Sequence, residues 1–216
     1  MNRRAALERA EKAGAGAALA LALGVNLHAG RLASRLGEGS ASVRDSLLDV
    51  LPVLDTRPLF TWGFGAFVAA LAAACLWRER QRLAWIAWSY AVLIAARSAC
   101  ILLTPLRAPE GALWVAGDPA YEAIGRYLTF PHDLFFSSHT AMPFLGFLLL
   151  TGRGARAACL AASVALGAAV LLARLHYSID VAAAYAFTYA IHQANRRLAR
   201  RPFLAWRRRF LANSTA

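Results

Sequence analysis

The sequence predicts an all-α membrane protein with six transmembrane helices in one bundle, and three observations support that fold class. Of its 216 residues, 59% are apolar and only 17% are charged, against roughly 45–50% and 25% in soluble domains. The mean hydropathy is +0.44. The apolar residues form runs that are separated by clusters of arginine. A soluble globular domain is nearly ruled out, because its surface would lack polar cover, and the same composition excludes a disordered chain.

Six apolar runs are candidates for helices that cross the ~30 Å hydrocarbon core, which takes about 20 residues. The predicted spans are residues 13–30, 59–77, 83–104, 138–152, 157–174 and 178–194. The first lacks a convincing cleavage site and is interpreted as a retained span rather than a signal peptide. The fourth is short and must borrow residues at its ends, and Pro131 and Pro143 make its start uncertain. One membrane domain, residues 13–194, thus lies between a basic N-terminal segment, residues 1–12, and a basic tail, residues 195–216.

The distribution of Lys and Arg predicts which side of the membrane each connection faces. Sixteen of the 24 cationic residues fall in the N-terminal segment, the second and fourth connections and the tail, and the three opposite connections hold six. If six helices alternate, both termini are cytoplasmic. The Arg- and Ala-rich composition favours the inner membrane of a bacterium. The basic tail is expected to bind anionic lipids, and no nucleic-acid partner is expected.

No metal or other cofactor is predicted. Three aspartates in the first outer connection lie among Leu and Val, which favours an interfacial helix over a metal site: Asp45, Asp49 and Asp55. Three cysteines lie inside apolar runs without C-x-x-C spacing, which is typical of small core residues: Cys75, Cys100 and Cys159.

Two polar segments at the outer ends of the last three spans carry the candidate chemistry, since polar residues at membrane depth indicate function by default. Residues 135–140 read FFSSHT, and residues 176–180 read HYSID. From His139 the chain descends one span and climbs the next to His176, so both histidines are expected at the outer face. His176 and Asp180 are four residues apart and share a helical face if the helix begins that early.

Two histidines and one aspartate suit phosphoryl transfer through a phosphohistidine. A carboxylate on one ring nitrogen fixes the tautomer and makes the other nitrogen more nucleophilic. The second histidine can then move the proton of the leaving or attacking alcohol. Four residues are candidate ligands of the substrate phosphate: Arg97 in the third span, Arg174 at the outer end of the fifth, and Ser137 and Ser138 at the start of the fourth.

These segments resemble a known family. Residues 137–140, SSHT, are similar to the SGHT element of the sphingomyelin synthase family, with Ser in place of Gly. Residues 176–188 resemble its HYTxDVxxAY element, and residues 97–106 resemble its segment before the outer loop. The resemblance covers roughly residues 45–193. The family belongs to the type 2 phosphatidic acid phosphatase superfamily but, like this chain, lacks that superfamily's first Lys/Arg element.

The resemblance implies transfer of a phospho-headgroup from a phospholipid to a lipid alcohol such as ceramide, with release of diacylglycerol, at the non-cytoplasmic face. It implies that His176 is the nucleophile, Asp180 its activator and His139 the general acid and base. Asp133 matches the acidic position of the family's CGD element, whereas residues 131–132 are Pro and His.

Several alternatives stay open. With water as the acceptor the protein is a lipid phosphate phosphatase, and a non-catalytic membrane protein of the same fold would keep the residues without the reaction. His132 is either a loop residue or, with Asp133, a supporting partner of the catalytic residues. Arg97 either holds a phosphate or forms a salt bridge to Asp49 or Asp133. The residues do not fix the headgroup, the acceptor or the oligomeric state.

Overall fold

The computed structural model describes residues 3–119, 121–125 and 129–200. These residues form helices joined by irregular segments, with no strand among them, so the all-α prediction is confirmed for this part of the chain. The helices are α1 (Arg3–Glu38), α2 (Ser46–Val50), α3 (Leu59–Arg78), α4 (Leu83–Leu103), α5 (Ser138–Leu149), α6 (Arg153–Leu172) and α7 (Ser178–Asn195). The first turn of α3 is π-helical, and two further π-helical turns lie at Tyr121–Gly125 and Arg196–Arg200. Residues 201–216 of the predicted basic tail lie outside the described residues.

Four of these helices are long and apolar enough to cross a membrane: α1, α3, α4 and α6. This supports an integral membrane protein. The predicted span at residues 138–152 contains α5, whose 12 residues measure about 18 Å at 1.5 Å per residue. The predicted span at 178–194 coincides with α7, which has 18 residues but carries polar side chains that it buries in the bundle. Six spans therefore stay a prediction.

Helix α1 ends at Glu38, eight residues beyond the predicted end of the first span at residue 30. Tertiary contacts stabilise these outer turns. Ala33 is buried with Ala29 against Ile101 of α4. Gly37 lies directly against the ring of His132, where a β-carbon would not fit. Helix α1 therefore packs along α4, and its C-terminal end supports the long connection that leads into α5.

The core of the bundle is formed by α4, α5, α6 and α7. Helices α5 and α6 approach closely at Gly146, where a β-carbon would come within 2.9 Å of the Cys159 sulfur, as small residues permit in membrane bundles. Helix α3 is held by Phe60 near its N-terminus and by Leu71 and Cys75 in its C-terminal half. One face of α3 between these contacts is left to line a cavity.

Glu79 fixes the end of the bundle at which α3 and α5 end. Its carboxylate accepts a hydrogen bond of 2.8 Å from the Thr151 backbone N–H and pairs with Arg82 at 3.0 Å. The connection after α5 is thereby attached to the connection after α3.

Candidate active site

His139, in the first turn of α5, forms one wall of the candidate site. Its ring stacks on Phe60, with centroids 4.0 Å apart and planes at 19°, and lies 4.2 Å from the Phe64 ring. The residue is 5% exposed, and its Nδ1 has no hydrogen-bond partner in the described part of the chain. The two phenylalanines therefore fix the plane of the imidazole without using that nitrogen.

His176 lies opposite, in the turn that leads into α7. Its Nδ1 is 3.3 Å from Oδ2 of Asp180, which is completely buried. The same oxygen accepts a 2.9 Å hydrogen bond from the Tyr177 backbone N–H, so two contacts hold the carboxylate beside the imidazole. Nδ1 thus faces Asp180 and Nε2 faces away from it. The structure brings together the pair that the four-residue spacing predicted.

His139 and His176 line one cavity of about 570 Å³, called the catalytic cavity below. Most of its wall is aromatic or aliphatic, and small residues of α3, among them Ala66 and Ala69, extend it along that helix. This volume lies within the range of ligand-binding pockets, roughly 300–1,000 Å³. The cavity is therefore large enough for a small ligand with an apolar part.

The N-terminus of α5 opens into the catalytic cavity. The first intrahelical bond runs from Ala141 N–H to the Ser137 carbonyl at 2.9 Å, which leaves the N–H groups of residues 138–140 without an acceptor in the helix. Helix N-termini of this kind bind phosphate. Ser137 is itself fully buried, and its N–H donates to the Asp180 carbonyl at 3.2 Å. The starts of α5 and α7 are therefore directly joined.

Arg97 borders the catalytic cavity, but protein groups occupy its guanidinium. Its Nη2 is 2.8 Å from one oxygen of Asp133 and its Nη1 donates to the other at 3.1 Å, with side chains only 6% and 8% exposed. Its Nε donates to the Phe136 carbonyl at 2.7 Å. Of the two predicted roles, the geometry favours the salt bridge. Through Phe136, Arg97 also holds the segment that enters α5.

Two other predicted residues are not brought to the catalytic cavity. Arg174 adopts a positive φ of 54°, and its guanidinium donates to the carbonyls of Leu48 at 3.0 Å and Glu110 at 3.3 Å. It lines a separate pocket of about 410 Å³ on the α2 side of the turn, called the loop pocket below. His132 accepts a 3.0 Å hydrogen bond from the Ala108 N–H, and burial lowers its pKa. Of the two roles predicted for His132, these contacts agree with that of a loop residue.

Sequence reasoning misses two residues near the site. Asp45 accepts a 2.6 Å hydrogen bond from the backbone N–H of Ser178, in the first turn of α7. Asn26 of α1 accepts from Arg97 and from Ser98 of α4, both at 3.3 Å. The rule that polar residues at membrane depth matter singles out Asn26. An aspartate before an apolar run indicates a helix N-cap, but no local signal reveals the contact with α7.

The three aspartates of the connection between α1 and α3 have separate partners. Asp49 pairs with Arg44 at 2.9 Å, and Asp55 pairs with Arg57 at 2.7 Å, while Asp45 binds α7. Hydrogen bonds from Arg57 lower the pKa of Asp55 to about 2. Among the described residues, no group of three or more His, Cys, Asp or Glu side chains is placed to hold a metal ion.

Comparison with known proteins assigns no family to the chain. No family model, curated protein or solved structure matches it significantly. The similarity of residues 137–140 and 176–188 to sphingomyelin synthases therefore remains an expectation, and the function has to be argued from the geometry of the site.

Proposed function

We propose that this protein is an integral membrane phosphotransferase that moves a phospho-headgroup from a phospholipid to a lipid alcohol through a phosphohistidine. One observation carries the proposal. His139 at the start of α5 and His176 in the turn before α7 line the same cavity. Asp180 contacts Nδ1 of His176, which leaves Nε2 as the reacting nitrogen. This arrangement supplies a nucleophile, an orienting carboxylate and a separate acid and base, the set that covalent group transfer needs.

The first half of the reaction forms the covalent intermediate. Nε2 of His176 attacks phosphorus, the bond between phosphorus and the diacylglycerol oxygen breaks, and His139 protonates that oxygen. Asp180 stabilises the positive charge that develops on the imidazole of His176. The free N–H groups at the start of α5, together with the Ser138 hydroxyl, hold the phosphate oxygens. Arg97 keeps this segment in place through Phe136 and Asp133.

The second half transfers the phosphoryl group to the acceptor. An alcohol oxygen attacks phosphorus, the phosphorus–nitrogen bond breaks with its electron pair returning to Nε2, and His139 takes the alcohol proton. The apolar wall along α3 favours a lipid alcohol, such as a ceramide-like molecule, as the acceptor. Burial of its alkyl chain against this wall adds binding energy that water, the other acceptor, does not gain. With water as acceptor, the same steps make the protein a lipid phosphate phosphatase.

The site belongs, in this proposal, to the non-cytoplasmic half of a six-span bundle in a bacterial inner membrane. Helix α5 completes its crossing with the flanking residues, and its buried N-terminus points at an anionic group, as broken helices do in transporters. Both termini are cytoplasmic, and the basic tail contacts anionic lipids. Single cysteines at positions 80 and 118, in a background without native cysteines, should be labelled by an impermeant reagent from opposite sides. Labelling of both from the outside would contradict the topology.

The test of function uses purified protein in liposomes with a panel of phospholipids labelled in the headgroup, with and without ceramide or another lipid alcohol. We expect release of diacylglycerol and a labelled lipid product. The His176→Ala variant should lose at least 10³-fold in turnover, since the covalent step then has no nucleophile. His28→Ala is the matched control, because His28 is a histidine of α1 that does not line the cavity.

The three outcomes separate the alternatives. A labelled lipid product that depends on the added alcohol supports the transferase. A labelled water-soluble product alone, abolished by His176→Ala, identifies the phosphatase. No turnover of any donor by a folded protein contradicts the proposal and favours a non-catalytic role.

A further inference from the structure

The turn that carries His176 is bound from the outside by the first outer connection. One carboxylate makes most of these contacts. Oδ2 of Asp45 accepts from the Ser178 N–H at 2.6 Å, and Oδ1 accepts from the Ser178 hydroxyl at 3.0 Å. The same Oδ1 accepts from the N–H groups of Leu47 and Leu48 at 3.0 and 3.2 Å. Asp45 therefore caps α2 and α7 at the same time.

Tyr177 supplies a second link between the two segments. Its hydroxyl accepts a 3.0 Å hydrogen bond from the Val43 N–H and donates to the Arg107 carbonyl at 2.8 Å. Its ring is buried with Leu48 of α2 and Leu134. Residues 43–48 and the His176–Ser178 turn thus form one packed unit, although more than 130 positions of sequence separate Asp45 from Ser178.

The contact with Ser178 matters because of its position. Ser178 is the first residue of α7, two residues from both His176 and Asp180. Its N–H has no acceptor within the helix, so Asp45 provides the partner that keeps the first turn wound. The contact between His176 Nδ1 and Asp180 is already long, at 3.3 Å. Fraying of this turn would lengthen it further.

We propose that Asp45 is a positioning residue for the nucleophile: by holding the first turn of α7, it sets the alignment of His176 with Asp180 and with the substrate phosphorus. This inference rests on the proposed function. Asp45 lines the loop pocket and not the catalytic cavity, so it acts through the turn rather than on the substrate.

The charge state of Asp45 agrees with this role. Partial burial by itself raises the pKa of Asp45, but the hydrogen bonds from Ser178, Leu48 and Leu47 outweigh it and leave the pKa below its usual value. The carboxylate is therefore ionised at neutral pH, the state that is favoured beside a helix N-terminus.

The test compares Asp45→Asn with Asp49→Asn, which changes an exposed aspartate of α2 whose carboxylate pairs with Arg44. Asparagine still caps a helix, but its NH₂ group does not accept a hydrogen bond, so one of the two helix starts loses its partner. A second variant, Ser178→Pro, keeps Asp45 and its contacts with α2. It removes both donors of Ser178 at the first helical position, where proline is tolerated.

We measure kcat, KM and the inhibition constant of orthovanadate, which forms a five-coordinate adduct with a nucleophile and so reports its alignment. For Asp45→Asn and Ser178→Pro we expect kcat to fall on the order of tenfold, well within the ~10²-fold that a 1 Å displacement of a reacting group can cost. The vanadate constant should rise by a similar factor, with KM changed by less than about twofold. Asp49→Asn should match the wild type in all three.

The vanadate constant separates positioning from stability, because a smaller folded fraction lowers the maximal rate but leaves that constant unchanged. A wild-type vanadate constant in folded Asp45→Asn and Ser178→Pro proteins overturns the role of Asp45 while the proposed function stands. If Asp45→Asn does not fold, Ser178→Pro decides by the same criterion. A wild-type protein that turns over no phospholipid overturns the proposed function and, with it, this inference.

Discussion

The turn at His176–Ser178 separates two concave regions that differ in how their polar groups are satisfied. On one side, the catalytic cavity has an apolar and aromatic wall, and Nδ1 of His139 faces no hydrogen-bond partner in the described chain. On the other side, the loop pocket is lined by charged groups that already hold backbone atoms, as Arg174 holds Leu48 and Asp45 holds Ser178. Buried polar groups without partners are costly, so the unpartnered nitrogen supports the proposal that this side takes a ligand, whereas the satisfied groups of the other side keep the turn in place.

Asp180→Asn, a change on the side of the catalytic cavity, should lower turnover more than any change in the loop pocket. Asparagine has the size of aspartate and, with its oxygen in the place of Oδ2, can still accept from the Tyr177 N–H and face Nδ1, but it lacks the charge that stabilises imidazolium. We expect kcat to fall by at least 10²-fold, since the equivalent change in the serine protease triad lowers kcat by about 10⁴-fold. The measurement is diacylglycerol release, with the thermal midpoint in detergent as the folding control. Full turnover in a folded variant removes Asp180 from the mechanism.

Arg97→Lys tests whether Arg97 stabilises the connection that leads into α5 or holds the substrate phosphate in the catalytic cavity. A lysine keeps the charge but cannot contact both oxygens of Asp133 and the Phe136 carbonyl at once. We expect a loss of about 2 kcal/mol in the free energy of unfolding, the value of one hydrogen bond to a charged group, and a smaller loss of turnover than in Asp180→Asn. A double-mutant cycle with Asp133→Asn should show strong coupling in stability. A loss of turnover at unchanged stability would instead assign Arg97 to the substrate phosphate.

The helices could be predicted from the sequence because apolar runs bounded by charged residues leave few other structures in a membrane. The predicted segment 59–77 is helix Leu59–Arg78, and 83–104 is helix Leu83–Leu103. The end of α1 could not be predicted, because contacts with Ile101 and His132, distant in sequence, extend it to Glu38. The sequence also predicts that the fourth span is short, but the position of α5 depends on the hydrogen bond between Thr151 and Glu79, which no local pattern indicates.

The candidate site was predictable only where local spacing determines geometry. The pair His176 and Asp180 follows from helical periodicity, and the approach of His139 follows from the hairpin of α5 and α6. Arg174 is two residues from His176, yet its positive φ directs the side chain into the loop pocket. The contact of Asp45 with Ser178 depends on how the outer connection folds back, which no motif in either segment encodes.

Arg174→Gly should have the smallest effect and bears directly on the comparison. Glycine adopts a φ of 54° without strain, whereas arginine there costs about 1–2 kcal/mol. The variant loses two half-exposed hydrogen bonds, to Leu48 and Glu110, each contributing about 1 kcal/mol. Because glycine also costs about 0.5–1 kcal/mol of chain entropy, a small net loss remains, so we expect the free energy of unfolding to fall by about 1 kcal/mol and turnover to stay within about twofold. Ala173→Gly is the matched control, because Ala173 is fully buried with an ordinary φ of −85°, and its replacement should cost about 1 kcal/mol without relief of strain. A tenfold loss of turnover in a stable Arg174→Gly protein would mean that Arg174 crosses to the substrate phosphate during the reaction, and the loop pocket would then belong to the catalytic side.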